Sequence, residues 1–374
     1  MISPMKIALV HDYLKQDGGA EKVLSVLQEI WPEAPTFALF FDPKRLPQFR
    51  DKDIRTSFLQ RAPLIQSKFQ WYLTLMPTAT EHYDLSGFDA VVSSTSAFAK
   101  GVITRPGTLH VCYCHTPTRF LWTDTLSYVE ELRVPRAIKA LLPPFLSLLR
   151  IWDRAAAERV DHFIANSNTV KERIQKYYSR NSVVIHPPVD THRFAISDKP
   201  KAYFLTGGRL VAYKRFDLVI EACNRTGFPL KIFGTGPVMG DLRRIAGPSV
   251  EFLGRVSDDK LPDLYANAKA FIHPHEEDFG ITAVESMAAG RPVIAYRKGG
   301  ATETVVDGVT GELFEEQSWE ELADHLIRFD DAKYDPTAIR AHASRFGRGR
   351  FKQEMRDFVE KAWSENSKNE VFGS

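Results

Sequence analysis

Short apolar runs alternate with helical patterns along almost the whole chain, and that alternation permits few folds. Parallel strands cannot be joined by a tight turn. Each pair needs a crossover, usually a helix, so this pattern implies an α/β protein with helices covering parallel sheets. In the first half, Lys6–His11 reads as a buried strand, followed by Gly18-Gly19 and a helix from Ala20 to about Ile30. Asp89–Val92, Leu109–Cys114, His162–Ala165 and Val183–Ile185 are further strands. In the second half the strands are Tyr203–Thr206, Leu230–Phe233, Val250–Leu253, Ala270–His273 and Val293–Tyr296. Helical patterns follow them, among them Phe216–Ala222, Leu261–Ala268 and Ile281–Ala289.

A chain of 374 residues suits two domains at ~150 residues each. The break falls at His186-Pro187-Pro188-Val189-Asp190 through Pro200, because proline removes amide donors and disfavours helix before it. We therefore expect Rossmann-like domains at 1–195 and 196–349. The last helix, Arg350–Trp363, follows Phe346-Gly347-Arg348-Gly349, and the segment 350–374 is expected to cross back onto the first domain. Open parallel sheets bind ligands outside the carboxyl ends of their strands. Two such sheets facing each other would leave a cleft for a nucleotide on one side and a second substrate on the other.

Composition narrows the partners. Lys+Arg total 49 and Asp+Glu 47, a formal charge of +2, so the chain does not coat a polyanion and no nucleic acid is expected. Any anion must be met by a local pocket. Three cysteines are too few for a disulfide scaffold and suit a reducing compartment. Ile7–Val10 is interrupted by His11 and Asp12 too soon for a secretion signal. The longest apolar stretch, Ala140–Leu149, holds two prolines and falls short of the ~20 residues of a membrane span. A cytoplasmic protein, not integral to a membrane, is the expectation.

Four constellations stand at strand ends. Gly18-Gly19 precedes a helix; glycine lets backbone approach an anion and the helix N-terminus offers unpaired N–H groups, although a bare Gly-Gly is often only a tight turn. Gly207-Gly208-Arg209-Leu210-Val211-Ala212-Tyr213-Lys214-Arg215 sets two cations at the mouth of a strand-to-helix loop, which suits a diphosphate: Arg209 binds as a fork and Lys214 as a point charge. In His273-Pro-His-Glu-Glu277-Asp-Phe-Gly-Ile-Thr-Ala-Val-Glu285, one carboxylate stands in a loop and the other eight residues on in a helix. Glu277 can grip a transferred sugar and Glu285 a ribose, with the Phe279-Gly280-Ile281 amides between them. His273 and His275 suggest a metal with Glu276, but no third histidine stands at ligand spacing, so no metal is expected. Finally, His115 ends the strand Leu109–Cys114, where Cys112 and Cys114 read as core thiols rather than half of a zinc site. No GxGxxG or Walker sequence is present.

The pattern Glu277-Asp-Phe-Gly-Ile-Thr-Ala-Val-Glu285 resembles that of the retaining family 4 glycosyltransferases, which have the GT-B fold. Gly18-Gly19, Gly207–Lys214, Gly234-Thr-Gly-Pro237 and Gly299-Gly300 match further landmarks in the expected order. Gly-Gly-Ala-Glu-Lys, Cys-His-Thr-Pro-Thr-Arg and His-Pro-Pro-Val-Asp look like the bacterial polysaccharide and O-antigen mannosyltransferase branch. The resemblance implies that Gly18 and Gly19 lie against the donor diphosphate, neutralised by Arg209 and Lys214. It gives Glu277 the donor sugar with the Phe279-Gly280-Ile281 backbone, Glu285 the ribose, Arg255-Val256 the base through backbone groups, and His115 the sugar near its anomeric centre. It further implies a sugar-nucleotide donor, GDP-mannose, no metal cofactor, and a lipid-linked or glycan acceptor. Attack on the same face of the sugar is implied too, so Glu277 is not a nucleophile.

Two other readings stay open: a transferase using a UDP-sugar and a soluble acceptor, and a nucleotide-sugar-binding protein without catalysis. A membrane contact is also expected. Between Leu132 and Trp152 stand Arg133, Arg136, Lys139 and Arg150 with no acidic residue, beside Ala140–Leu149. That pairing suits an anionic leaflet, while leucines buried in the core are the plainer explanation.

Overall fold

The computed structural model describes residues 5–125, 129–130, 136–198 and 202–372. The chain divides into two compact units, 1–186 with 352–374, and 187–351. Each is built on one parallel sheet, as the strand–helix alternation requires.

In the first unit the sheet has seven strands: β1 (Ile7–His11), β2 (Thr36–Ala38), β3 (Ile54–Thr56), β4 (Ala90–Thr95), β5 (Leu109–Cys114), β6 (His162–Ala165) and β7 (Ser182–Val184). Their order is β3-β2-β1-β4-β5-β6-β7. β1 lies in the interior, in register with β2 through Leu9–Thr36 and with β4 through Leu9–Val92. Both its faces are covered, which is why it reads as an unbroken apolar run instead of an alternating one. β2 and β3 were not foreseen, because three residues each carry too little pattern to stand out.

The second unit has six strands: β8 (Phe204–Gly207), β9 (Leu230–Phe233), β10 (Val250–Gly254), β11 (Ala270–His273), β12 (Val293–Tyr296) and β13 (Gly311–Phe314). Their order is β10-β9-β8-β11-β12-β13, the same pattern as in the first unit. A single buried cluster runs through Phe204, Ile232, Phe271, Ile294 and Phe314. β13 also went unforeseen, since Gly311 and Glu312 blur its apolar signal.

The proline-rich segment is held within the second unit. The Val189 N–H donates to the Phe346 carbonyl at 2.9 Å, and Val189 pairs with Gly347 as a parallel bridge. The last helix is longer than its sequence pattern, Arg348–Phe372, and belongs to the first unit from Lys352 onward. Phe351, Met355, Val359 and Ala362 recur at helical spacing and are buried. Lys352 Nζ reaches Glu29 Oε2 at 2.6 Å.

Ala140–Leu149 lies inside a helix, Arg136–Glu158, that runs through Pro143 and Pro144. Each proline removes an N–H donor from the helix. Leu146 and Leu149 are buried against Leu121, while Phe145, Leu148 and Ile151 are exposed. The stretch is thus half core and half surface. Two of its cations are engaged within the unit: Lys139 Nζ donates to the Glu130 carbonyl at 2.7 Å, and Arg150 donates to the Leu121 carbonyl and Thr125 Oγ1. Arg133 lies outside the described residues, as does the side chain of Arg136. Among the described residues no helix is long and apolar enough to cross a membrane.

Candidate functional site

In each sheet the strand order reverses beside its first strand, and ligands in open α/β sheets bind at such a switch point. In the second unit that point lies between the carboxyl ends of β8 and β11. The loops that follow are Gly207–Arg215 and Pro274–Gly280, the two constellations already singled out by sequence.

After β8 the chain turns through Gly208 at φ 127°, a conformation open to glycine, and forms a short turn Ala212–Lys214. That turn folds Lys214 inward, so its side chain is only 10% exposed, and its Nζ lies 2.8 Å from Glu277 Oε1. The diphosphate cation and the sugar carboxylate of the sequence reading are therefore direct partners. Arg209 and Arg255 are both exposed, the first in the Lys214 loop and the second just after β10. Val256 is half-buried against the core.

Glu277 is pinned by its backbone. The Gly300 N–H donates to its carbonyl at 2.8 Å, and Glu277 pairs with Gly299. A Cβ on Gly300 would fall 2.3 Å from Phe279 Cα, so this approach requires glycine. Gly280, at φ 89°, starts the helix Ile281–Ala288, and Phe279 turns its ring into the core against Phe346. Phe279 and Gly280 thus have only backbone to offer a ligand. One turn further on, Glu285 is buried and accepts a hydrogen bond from the Tyr265 hydroxyl at 3.1 Å. Burial and then Glu285 hold the Tyr265 phenol well above its usual range, so it stays a donor. Sequence reasoning missed Tyr265, which lies twenty residues before its partner with no shared motif.

Burial pushes the Glu277 carboxyl up, but Lys214 and then His275 outweigh it and hold it well below the usual carboxylate range. His275 Nε2 lies 3.2 Å from the second oxygen, Oε2, and His273 Nε2 lies 4.0 Å from it. The two imidazoles sit with ring centroids 4.2 Å apart. One ligating atom from each of His273, His275 and Glu277 lies within 4.8 Å of the others. The carboxylate that joins the histidines is therefore Glu277, where the sequence suggested Glu276.

In the first unit the switch point lies between β1 and β4. Gly18 caps the helix Gly19–Ile30, and its N–H donates to Glu21 Oε2 at 3.0 Å. Burial raises the Glu21 carboxyl to about 8, so it is largely protonated at neutral pH. His115, at the end of β5, is 9% exposed. Its Nε2 meets Ser94 Oγ at 2.8 Å, and Ser94 in turn meets His11 Nδ1 at 3.2 Å. Burial and then His11 lower His115 to about 3, so it is a neutral hydrogen-bonding group and not an acid. Asp12 accepts from the backbone N–H groups of Ser96, Ala97, Phe98 and Ala99 and from Thr95 Oγ1. It thereby fixes the loop after β4. Its only sequence signal was a polar pair directly after a buried strand. Cys112, Cys114 and Cys223 are all buried and in no disulfide, and burial pushes Cys112 and Cys223 to about 12. They are core thiols.

Comparison with known proteins agrees with this architecture. Residues 18–193 match the family described as Glycosyltransferase Family 4, and residues 188–344 match Glycosyl transferases group 1. The fold is that of Anabaena HepE, solved in complex with UDP-glucose, with a TM-score of 0.71 at 21% identity, covering 96% of this chain and 100% of that one. Sucrose-phosphate synthase from Thermosynechococcus elongatus superposes with a TM-score of 0.69 at 16% identity, over 96% and 100%. Among curated sequences, an uncharacterised glycosyltransferase of Methanocaldococcus jannaschii is 27% identical over 183 residues, 48% of this chain and 52% of its own. The D-inositol 3-phosphate glycosyltransferase of Mycobacterium bovis is 27% identical over 210 residues, 48% of this chain and 44% of its own. The chain thus spans about half the length of the curated relatives it matches. Taken together, a pair of Rossmann-like units and family matches over both define a glycosyltransferase-type protein. The chain thus carries one domain of each of these two glycosyltransferase families, on the GT-B fold.

Proposed function

We propose that this protein is a retaining hexosyltransferase that moves mannose from GDP-mannose onto a lipid-linked or polysaccharide acceptor in cell-surface glycan synthesis. The observation that carries the transferase reading is the Lys214–Glu277 pair at 2.8 Å, set at a sheet switch point beside a helix N-terminus. Breaking the anomeric C–O bond leaves charge on a nucleoside diphosphate. Lys214, Arg209 and the helix amides are groups that stabilise such charge as it develops. In this reading Glu277, kept ionised by Lys214, accepts from donor-sugar hydroxyls, and the released ammonium turns to the diphosphate. Glu285, oriented by Tyr265, accepts from the ribose. His115 is neutral and donates or accepts a hydrogen bond near the anomeric carbon. No residue is asked to form a covalent intermediate, and no metal cofactor is invoked.

The mannose and guanine assignments rest on the resemblance of three motifs, Gly18–Lys22, Cys114–Arg119 and His186–Asp190. A UDP-sugar is the second reading, favoured by HepE having been solved with UDP-glucose. A hydrolysis and transfer screen over GDP-mannose, UDP-glucose and other sugar nucleotides separates the two. Turnover of GDP-mannose supports the first, turnover of UDP-sugars alone replaces it, and binding without any turnover makes the protein a non-catalytic binder.

Peripheral contact with the cytoplasmic leaflet belongs to the same proposal. Two surfaces of the first unit support it. One is Phe145, Leu148 and Ile151 on the helix Arg136–Glu158. The other is Phe58, Leu64, Trp71 and Leu75, all exposed in a stretch from Ile54 to Thr80 that carries Arg55, Arg61 and Lys68 and no acidic residue. Exposed Trp and Phe among cations suit a headgroup region.

A further inference from the structure

His273 is fully buried, yet neither of its ring nitrogens has a hydrogen-bond partner, and His275 is buried beside it. A buried polar group left unpaired is costly, so such a histidine needs an explanation. Both rings stand against Oε2 of Glu277, the oxygen that Lys214 does not take. Two imidazoles and a carboxylate are the ligand types that zinc and its neighbours prefer.

We propose that His273, His275 and Glu277 form a binding site for a transition-metal dication of the zinc class, and that its occupancy blocks sugar transfer. The blocking half rests on the reading of Glu277 as the donor-sugar residue; the binding half does not. Ligands on one tetrahedral zinc stand about 3.4 Å apart, given bonds near 2.1 Å. The His275–Glu277 separation is 3.2 Å, the His273–Glu277 separation 4.0 Å, and all three ligating atoms lie within 4.8 Å of one another, so shifts of roughly an ångström or slightly more close the set. The unpartnered His273 ring nitrogens leave a lone pair to give. His275 moves its proton from Nε2 to Nδ1, which frees the nitrogen that faces Glu277, and no proton need leave the site. Glu277 is 22% exposed against 0% and 2% for the histidines, so the ion arrives along the carboxylate, and water completes its shell. Lys214 remains on Oε1. Its charge weakens the site without occupying it, which fits an inhibitory ion better than a resident cofactor. Magnesium, which prefers oxygen ligands, is not expected to bind here.

The test is titration of chelator-treated full-length protein with Zn²⁺ by calorimetry, with Co²⁺ as a spectroscopic probe and Mg²⁺ as a control. One Zn²⁺ per chain is expected, with affinity at least tenfold lower in His273→Gln and in His275→Gln. His325→Gln, which alters a separate His–Glu pair with Glu312, should bind as the parent does. Absence of stoichiometric binding, or equal affinity in all variants, overturns the proposal. If a variant does not fold, ¹⁵N-histidine NMR of the parent protein decides: two imidazole nitrogens must shift on adding zinc, and fewer than two overturns the site. Donor hydrolysis should then fall with zinc and recover with chelator. Zinc bound through both histidines without any effect on hydrolysis upholds the site, overturns the block, and counts against Glu277 as the sugar residue.

Discussion

At the scale of single residues, the paired charges of the second unit make sharp predictions. Lys214→Ala should lower turnover by roughly 100-fold or more, in line with other groups that stabilise developing charge. It also strands a half-buried Glu277, so its melting temperature should fall while the fold survives. Near-normal turnover in the folded variant would remove Lys214 from the mechanism. The two glutamates should separate by ligand. Glu285→Gln should weaken binding of the free nucleoside diphosphate, and Tyr265→Phe should do so more mildly, since it deletes only the hydrogen bond that orients Glu285. Glu277→Gln should leave that binding largely intact and depress transfer. Calorimetry with the nucleotide product reads this; equal losses in Glu277→Gln and Glu285→Gln would contradict the division of roles.

At the scale of an element, the first helix of the first unit carries an unusual N-terminus. Glu21 is buried there, with its carboxyl raised from 4.5 to about 8, while its Oε2 accepts from the Gly18 N–H. A group raised in the folded state contributes stability below its unfolded pKa and loses it as pH climbs through the folded one. The helix should therefore be best anchored near pH 5 and weakened towards pH 8, by an amount on the order of a few kcal/mol. Glu21→Gln keeps the acceptor and cannot ionise. Its melting temperature should exceed the parent's at pH 8 and match it near pH 5; a constant offset at both would refute the argument. The first glycine pair was legible in the sequence, but the ionisation of its neighbour was not, because burial of Glu21 is set by packing around the helix.

At the scale of the molecule, buried neutral histidines set the acid limit. Burial lowers His110 from 6.5 to about 4 and His115 to about 3. Below pH 6.5 the unfolded chain takes up protons that the folded one refuses, so stability is lost as pH falls, by about 1.4 kcal/mol per pH unit for each. His110→Gln should make the decline between pH 6.5 and 4 shallower, and an unchanged slope in thermal melts would exclude His110 as a source. Membrane contact belongs to this scale too. Co-sedimentation should be stronger with anionic than neutral vesicles and weaker at high salt. Trp71→Ala with Lys68→Ala should reduce it; equal partitioning under all conditions would remove the electrostatic part.

Sequence by itself determined the two parallel sheets, because buried strands with crossover helices must repeat as apolar run and helical pattern, and it marked the loops of Gly207–Lys214 and Glu277–Glu285 at strand ends. It could not show β2, β3 or β13, whose residues are too few or too polar for periodicity to register. It also could not pair residues distant in the chain. Lys214 meets Glu277, Tyr265 meets Glu285 and Asp12 gathers the loop after β4 only because neighbouring strands in the sheets are not neighbours in sequence. The helix Arg136–Glu158 shows the same limit: its leucines read alike in sequence, and only packing decided that Leu146 and Leu149 are core while Phe145 and Leu148 face out. Local pattern carries period and turn chemistry, whereas partner, burial and ionisation are properties of the space that the folded sheets enclose.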